Sequence, residues 1–143
     1  MEKEFVPYEL ALRMKELGFD EPCFAMWTQG WSEFEWSSSM LPRIFSSRFR
    51  LNDTQSCEAY FNNIDAAFGI AAPTWQSAFN WFLEKHSLYF RPDYLDELKE
   101  YDFQGSIHKL GKYNAIVFIG NHKTHKEAEL ASLTKLIEIV ETK

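Results

Sequence analysis

The side chains in this chain best suited to chemistry are three histidines and the basic residues beside them. Between Asp102 and Glu127 there is no acid, while His108, His122 and His125 share that window with Lys109, Lys112, Lys123 and Lys126. A second acid-free window, between Glu35 and Asp53, carries Arg43, Arg48 and Arg50. Brought onto one face, the two windows would make a basic patch able to take nucleic-acid phosphates, with Phe45, Phe49 and Tyr113 available to stack on bases. No base-reading motif accompanies them, so such binding would be electrostatic and indifferent to sequence. The plainer reading is a pair of solvated segments whose lysines keep sheet edges from pairing.

Other chemistries find less support. His122 and His125, with His108 or an acid, have metal-ligand character, but zinc takes three or four ligands and no cysteine lies close in sequence. We assign no metal and no cofactor on these residues. There is no G-x-S-x-G, no phosphate-binding P-loop and no G-x-G-x-x-G. Cys57 stands beside Glu58 with no flanking base to activate it, and Cys23 falls in an expected strand. The carboxylates at Asp96-Glu97 and Glu100-Asp102 read as a solvated turn. No catalytic residue is assigned, and the reading leans away from an enzyme.

Composition narrows the class. The 143 residues carry a net charge of −6, which argues against a wholesale basic DNA-coating protein. Aromatic residues reach 17%, with 13 Phe, 6 Tyr and 5 Trp, far too many for a disordered chain. Two cysteines without a C-x-x-C spacing read as free thiols of a reducing compartment. The start, Met1 to Phe5, has neither the basic nor the apolar region of a secretory signal. The longest clean apolar run is Ala115–Ile119, against the ~20 residues that span a bilayer. These features set the expectation of a cytoplasmic protein with no membrane partner.

The elements that must position these residues follow from periodicity and punctuation. Pro7 to Leu17 reads as a helix with Leu10, Met14 and Leu17 on one stripe, and Gly18-Phe19 as its stop. Cys23–Thr28 and Trp31–Trp36 read as two strands turned at Gln29-Gly30, an aromatic hairpin. The region 37–69 reads as an inserted loop, with a short strand at Ile44–Phe49 and a short helix from Asp53 to Phe68. Pro73 opens a helix to about His86, its stripe formed by Trp75, Phe79 and Phe82 and widened by Ala78 and Trp81. His86, at its end, is placed to meet the negative pole of the helix.

Pro92 restricts any strand over Leu88–Leu95 to a sheet edge. Phe103–Leu110 and Tyr113–Ile119 read as strands joined by a two-residue turn at Gly111-Lys112 and closed by Gly120-Asn121. Thr124-x-x-Glu127 is a capping box ahead of Leu130, Leu133, Ile137 and Val140. The resulting expectation is a single α+β domain over 1–143: an antiparallel sheet built from two hairpin regions and covered by about three helices.

Three stretches also carry a resemblance. They are Phe5-Val6-Pro7-Tyr8-Glu9 running into Leu17–Cys23, Ala72-Pro73-Thr74-Trp75-Gln76 running into Ala78–Phe82, and Lys126–Ala131 running into Leu136–Val140. Together they resemble a family of small uncharacterised proteins carried by phages, prophages and mobile elements of gut bacteria. The resemblance implies an origin and no chemistry. The function class to expect is then a non-enzymatic interaction or accessory protein of such an element, working through the aromatic hairpin and the 37–69 insertion with a protein partner or a second copy. The nucleic-acid-binding module on Arg43, Arg48, Arg50, Lys109, Lys112, Lys123 and Lys126 is the alternative, and a small metal-dependent hydrolase stands behind both.

Overall fold

A computed structural model describes residues 2–19, 21, 23, 25–31, 36–44, 70–94 and 103–143. The chain is α+β, and among the described residues helices alternate with antiparallel strands that fall into two three-stranded sheets. It divides into two compact units, Met1–Trp75 and Gln76–Lys143.

The first unit opens with a 3-10 turn over Glu2–Glu4 and helix α1, Tyr8–Glu16. Pro7 stands just outside α1 as its cap residue rather than as its first helical residue, and its carbonyl accepts from the Ala11 amide at 2.9 Å. Leu10, Ala11 and Met14 form the buried face. The stop is the one the sequence advertises. Gly18 takes φ +90°, its amide donates to the Lys15 carbonyl, and the Phe19 amide donates to that of Met14 at 2.9 Å. That pair of bonds is a Schellman ending, which needs the left-handed backbone that glycine adopts without a Cβ clash.

Strands β1 (Ala25–Trp31), β2 (Trp36–Ile44) and β3 (Ile70–Ala71) form the first sheet in the order β2-β1-β3, all antiparallel. Cys23, Ala25 and Trp27, at alternate positions, are all buried. The Trp27 indole N–H donates to the Val6 carbonyl at 3.0 Å, which satisfies its one polar atom in the interior. The Trp75 indole does the same with the Lys3 carbonyl at 3.1 Å.

This sheet corrects the expected loop and turn. β1 continues through Gln29 and Gly30 to Trp31, with an irregularity between Gln29 and Trp31. Gly30 therefore marks a kink in a strand and not a turn, a role its missing side chain equally permits. Trp36–Ile44 is a strand despite its serines and Pro42. Among the described residues β2 pairs with β1 alone, and an edge strand tolerates a residue without an N–H. The rest of the 37–69 insertion, including the strand expected to Phe49 and the helix from Asp53, lies outside the described residues.

The second unit is built on helix α2, Trp75–His86. The helix starts two residues after Pro73. The Pro73 carbonyl accepts from the Val6 amide at 2.9 Å and Thr74 bridges Phe5, so both residues are held extended. Ala78, Trp81 and Phe82 are buried, whereas Phe79 is half-buried and stacks on Phe90 with ring centroids 5.8 Å apart. Ser87 reverses the chain with φ +56°, and strands β4 (Leu88–Tyr94), β5 (Phe103–Lys109) and β6 (Ala115–His122) follow.

Their order is β4-β5-β6, antiparallel throughout, so Pro92 does sit in an edge strand. Gly105 on central β5 faces Pro92, and a Cβ there would run into the Phe90 ring and stand 2.9 Å from the Arg91 carbonyl oxygen. The β5–β6 connection spans Leu110 to Asn114, longer than a two-residue turn, with Gly111 at φ +79°. β6 does not close at Gly120-Asn121 but runs on to His122, which pairs with Phe103.

Helix α3, His125–Glu141, packs against β5 and β6. Thr124 caps it: its hydroxyl accepts from the Glu127 amide at 3.2 Å, and the Glu127 carboxylate accepts from the amides of Thr124 and Lys123. Its buried residues are Ala128, Ser132, Leu133, Leu136 and Ile137, while Leu130 is exposed. Leu133 and Ile137 of the expected stripe and Leu136 beside it are thus buried, and small Ala128 and Ser132, instead of Leu130, extend that face towards the helix start. The Ser132 hydroxyl is satisfied by the Ala128 carbonyl at 2.5 Å. No helix among the described residues is long and apolar enough to cross a membrane.

Candidate functional site

The second sheet has two edges of opposite character. β4 carries Arg91, Pro92 and Asp93, all exposed, with the guanidinium and carboxylate 3.7 Å apart. Charge and proline together block a further strand from pairing there. β6 has no such guard. From Tyr113 to Asn121 there is no charged residue and no proline. Its inner positions, Ala115, Val117 and Ile119, alternate with outward Ile116, Phe118 and Gly120. The outward residues are well exposed: Phe118 at 81% and Ile116 at 46%, with Tyr113 at 102% and Leu110 at 60% in the adjoining turn. Four large apolar side chains on one short hairpin make a patch of the kind that marks interaction sites. Among the described residues β6 pairs with β5 alone.

The expected basic patch is distributed as follows. Lys109 and Lys112 stand at the turn end of the β5–β6 hairpin, whereas Lys123 and Lys126 follow its other end, where Phe103 meets His122. At ~3.4 Å per residue the two pairs lie roughly 20 Å apart along the strands. Lys126 is engaged by the Glu129 carboxylate at 3.1 Å. Arg43 lies on β2 in the first unit, opposite Met26. Arg48 and Arg50 lie outside the described residues, as do Phe45 and Phe49.

The histidines are separated in the same way. His108 is buried near the turn end of β5; its Nε2 lies 2.8 Å from the Ser106 hydroxyl and its ring stacks on Tyr89. His125, at the other end, has its Nδ1 3.5 Å from the Glu129 carboxylate and its ring edge-on to Phe103. Among the described residues no three His, Cys, Asp or Glu side chains converge on a point that would hold a metal. The Ser106–His108 pair has the distance of a nucleophile and its base. No carboxylate bond orienting the imidazole is seen among the described residues, and the pair serves as a satisfied polar contact within the sheet.

His86 takes a different part from the one its helix end suggests. Its ring packs against Trp81 and Phe82, with centroids 4.9 Å and 5.8 Å away, and its Nε2 is buried with no hydrogen-bond partner among the described residues. Desolvation, and then the charge of Lys143, push its pKa below the ordinary histidine value. Burial therefore disfavours the charged imidazolium at this helix end.

The aromatic hairpin supplies a buried anchor, Trp27, while Trp31 and Trp36 end and begin their strands opposite one another. Phe34 and Cys57 lie outside the described residues. A shallow groove on α3, edged by His122 and floored by Leu130, Ala131 and Thr134, is walled by Glu127 and Glu138. It lacks the buried convergent polar groups of a small-molecule site.

Sequence reasoning did not find the β6 patch. The run Ala115–Ile119 is apolar at every position, so its sequence does not mark a core face, and only the placement of α3 on one side shows which alternate residues stay open. The chain matches no family model, no curated protein and no solved structure.

Proposed function

We propose that this chain is a non-enzymatic protein-interaction module and that β6 is its contact strand. The single observation behind the reading is the uncharged, unguarded edge of β6 with Phe118 four-fifths exposed beside Ile116. An extended segment laid along it would gain main-chain hydrogen bonds, and the outward side chains would supply contact area. The resemblance to small proteins of phages and mobile elements fits an accessory role of this kind. The cytoplasm is the compartment that suits it, since the two cysteines have no framework spacing.

The test is a photoreactive side chain placed at position 118 in cells that make the protein. Crosslinks to protein, lost when the probe moves to Asp93 on β4, support the reading. No protein crosslink from position 118 refutes it. Crosslinks to nucleic acid instead would return attention to the lysine and arginine windows.

A further inference from the structure

Resting on that reading, we propose that the partner of β6 is a second copy of this chain, joined by antiparallel β6–β6 pairing about a two-fold axis. In such a pairing each residue faces the one equally far on the other side of the axis, so a strand carrying charges of one sign would repel its own copy. β6 carries no charge from Tyr113 to Asn121, whereas the other edge of the same sheet carries Arg91, Pro92 and Asp93. On β4 the missing N–H of Pro92 interrupts any such pairing, so of this sheet's two edges β6 is the one open to it, and a two-fold contact through one edge closes at two copies instead of growing into a fibre.

An axis passing beside Phe118 gives the pairing its fit. Phe118 then meets Phe118 of the partner subunit, a side-by-side aromatic pair of the favourable cross-strand kind. Ile116 falls opposite Gly120 of the partner subunit, which has open space where a Cβ would stand. The turn end of one copy, with fully exposed Tyr113, comes over the Lys123 end of the other.

Full covering of the patch would give the area of a weak dimer. With aromatic side chains contributing ~150–250 Å² each when fully covered, the four exposed apolar residues offer on the order of 500 Å² per copy. Over both copies this reaches roughly 1,000 Å², the lower bound of a specific interface. The strand's outer amides and carbonyls add to it. Association in the micromolar range is the scale to look for.

Sedimentation equilibrium of the whole chain tests the proposal. The wild type should move with concentration from 16.9 kDa to twice that mass. Phe118→Lys, which places two ammonium groups at the axis, should stay at the monomer mass over the same range. Ile116→Lys serves as a second variant, and circular dichroism confirms that each is folded. Asp93→Lys, on the guarded edge, should associate as the wild type does. A wild type that remains monomeric to millimolar concentration overturns the proposal. So does a dimer that Phe118→Lys and Ile116→Lys leave intact, because its interface lies elsewhere. A monomeric wild type that still crosslinks to another protein from position 118 removes the second copy as partner but preserves the interaction reading; absence of both removes the two together.

Discussion

The aromatic residues of helix α2 and those of the β5–β6 hairpin are alike in type and opposite in fate. Trp81 and Phe82 are 2% and 0% exposed, while Tyr113 and Phe118 are 102% and 81% exposed. The difference lies in what each element has on its two sides. The α2 residues sit on one stripe of a helix, and that stripe is turned inward. β6 is an edge strand with α3 packed against its sheet, so its alternate residues divide into a buried set and an open set. Aromatic content alone therefore does not tell core from contact surface. Position within the sheet does.

The comparison breaks first if Phe82 is not a core residue. Phe82→Ala should cost about 3–5 kcal/mol, from lost transfer energy plus the cavity left behind. With a total stability of ~5–15 kcal/mol, the second unit should unfold at a much lower denaturant concentration. Urea unfolding followed by tryptophan fluorescence measures this. An unchanged midpoint would show that α2 is not the anchor its burial makes it.

A smaller effect sharpens the contrast between central and edge strands. Gly105 on β5 has no room for a side chain because the Phe90 ring covers it and the Arg91 carbonyl lies close. Gly105→Val should lose about 1–3 kcal/mol through overpacking. The same substitution at Gly120 on β6, where nothing stands within 4 Å, should be tolerated. Equal losses at both positions would erase the distinction.

How much of this was legible in the sequence depended on whether the signal was local. Gly18 and Thr124 act through bonds to residues within five positions, and both endings have the form their sequence announces. Pro92 signals an edge because a missing N–H is a local fact with a global consequence. Pro42 carries the same information, yet among serines it reads as a loop; only the pairing of β2 with β1 shows it to be an edge strand. Gly30 and Gly120 read as turns because glycine permits a turn, a kink and a plain strand alike. The stripe of α3 is legible at Leu133 and Ile137 but not at its start, where small Ala128 and Ser132 are buried while Leu130, which reads as core by hydrophobicity alone, is exposed. The basic windows are contiguous in sequence, but a hairpin sends the two halves of one window to opposite ends.

The cap of α3 lies lower in magnitude. Thr124→Ala removes the hydroxyl that accepts from the Glu127 amide and loosens the reciprocal carboxylate bonds. A loss of about 0.5–2 kcal/mol is expected, with the fold retained. Because α3 covers the inner side of β6, fraying of its first turn should also raise hydrogen exchange at Lys123–Ala128. Unaltered exchange there would mean that the cap is not what holds the helix start.

The smallest stability effect should come from the most conspicuous residue. Phe118 is 81% exposed, so in the monomer its ring has little burial to lose. Phe118→Ala should change monomer stability by less than about 0.5 kcal/mol, as exposed positions generally do. β-propensity pulls slightly the other way, since phenylalanine suits a strand better than alanine. Measured in dilute solution, the melting temperature should therefore stay close to that of the wild type. At high concentration the two should diverge, because anything that binds the folded chain stabilises it by mass action and the variant forfeits part of that gain. A wild-type melting temperature that rises with protein concentration, beside a flat one for Phe118→Ala, is the expected pattern. A large loss in dilute solution would instead make Phe118 a structural residue, and the contrast between the two aromatic groups would fall.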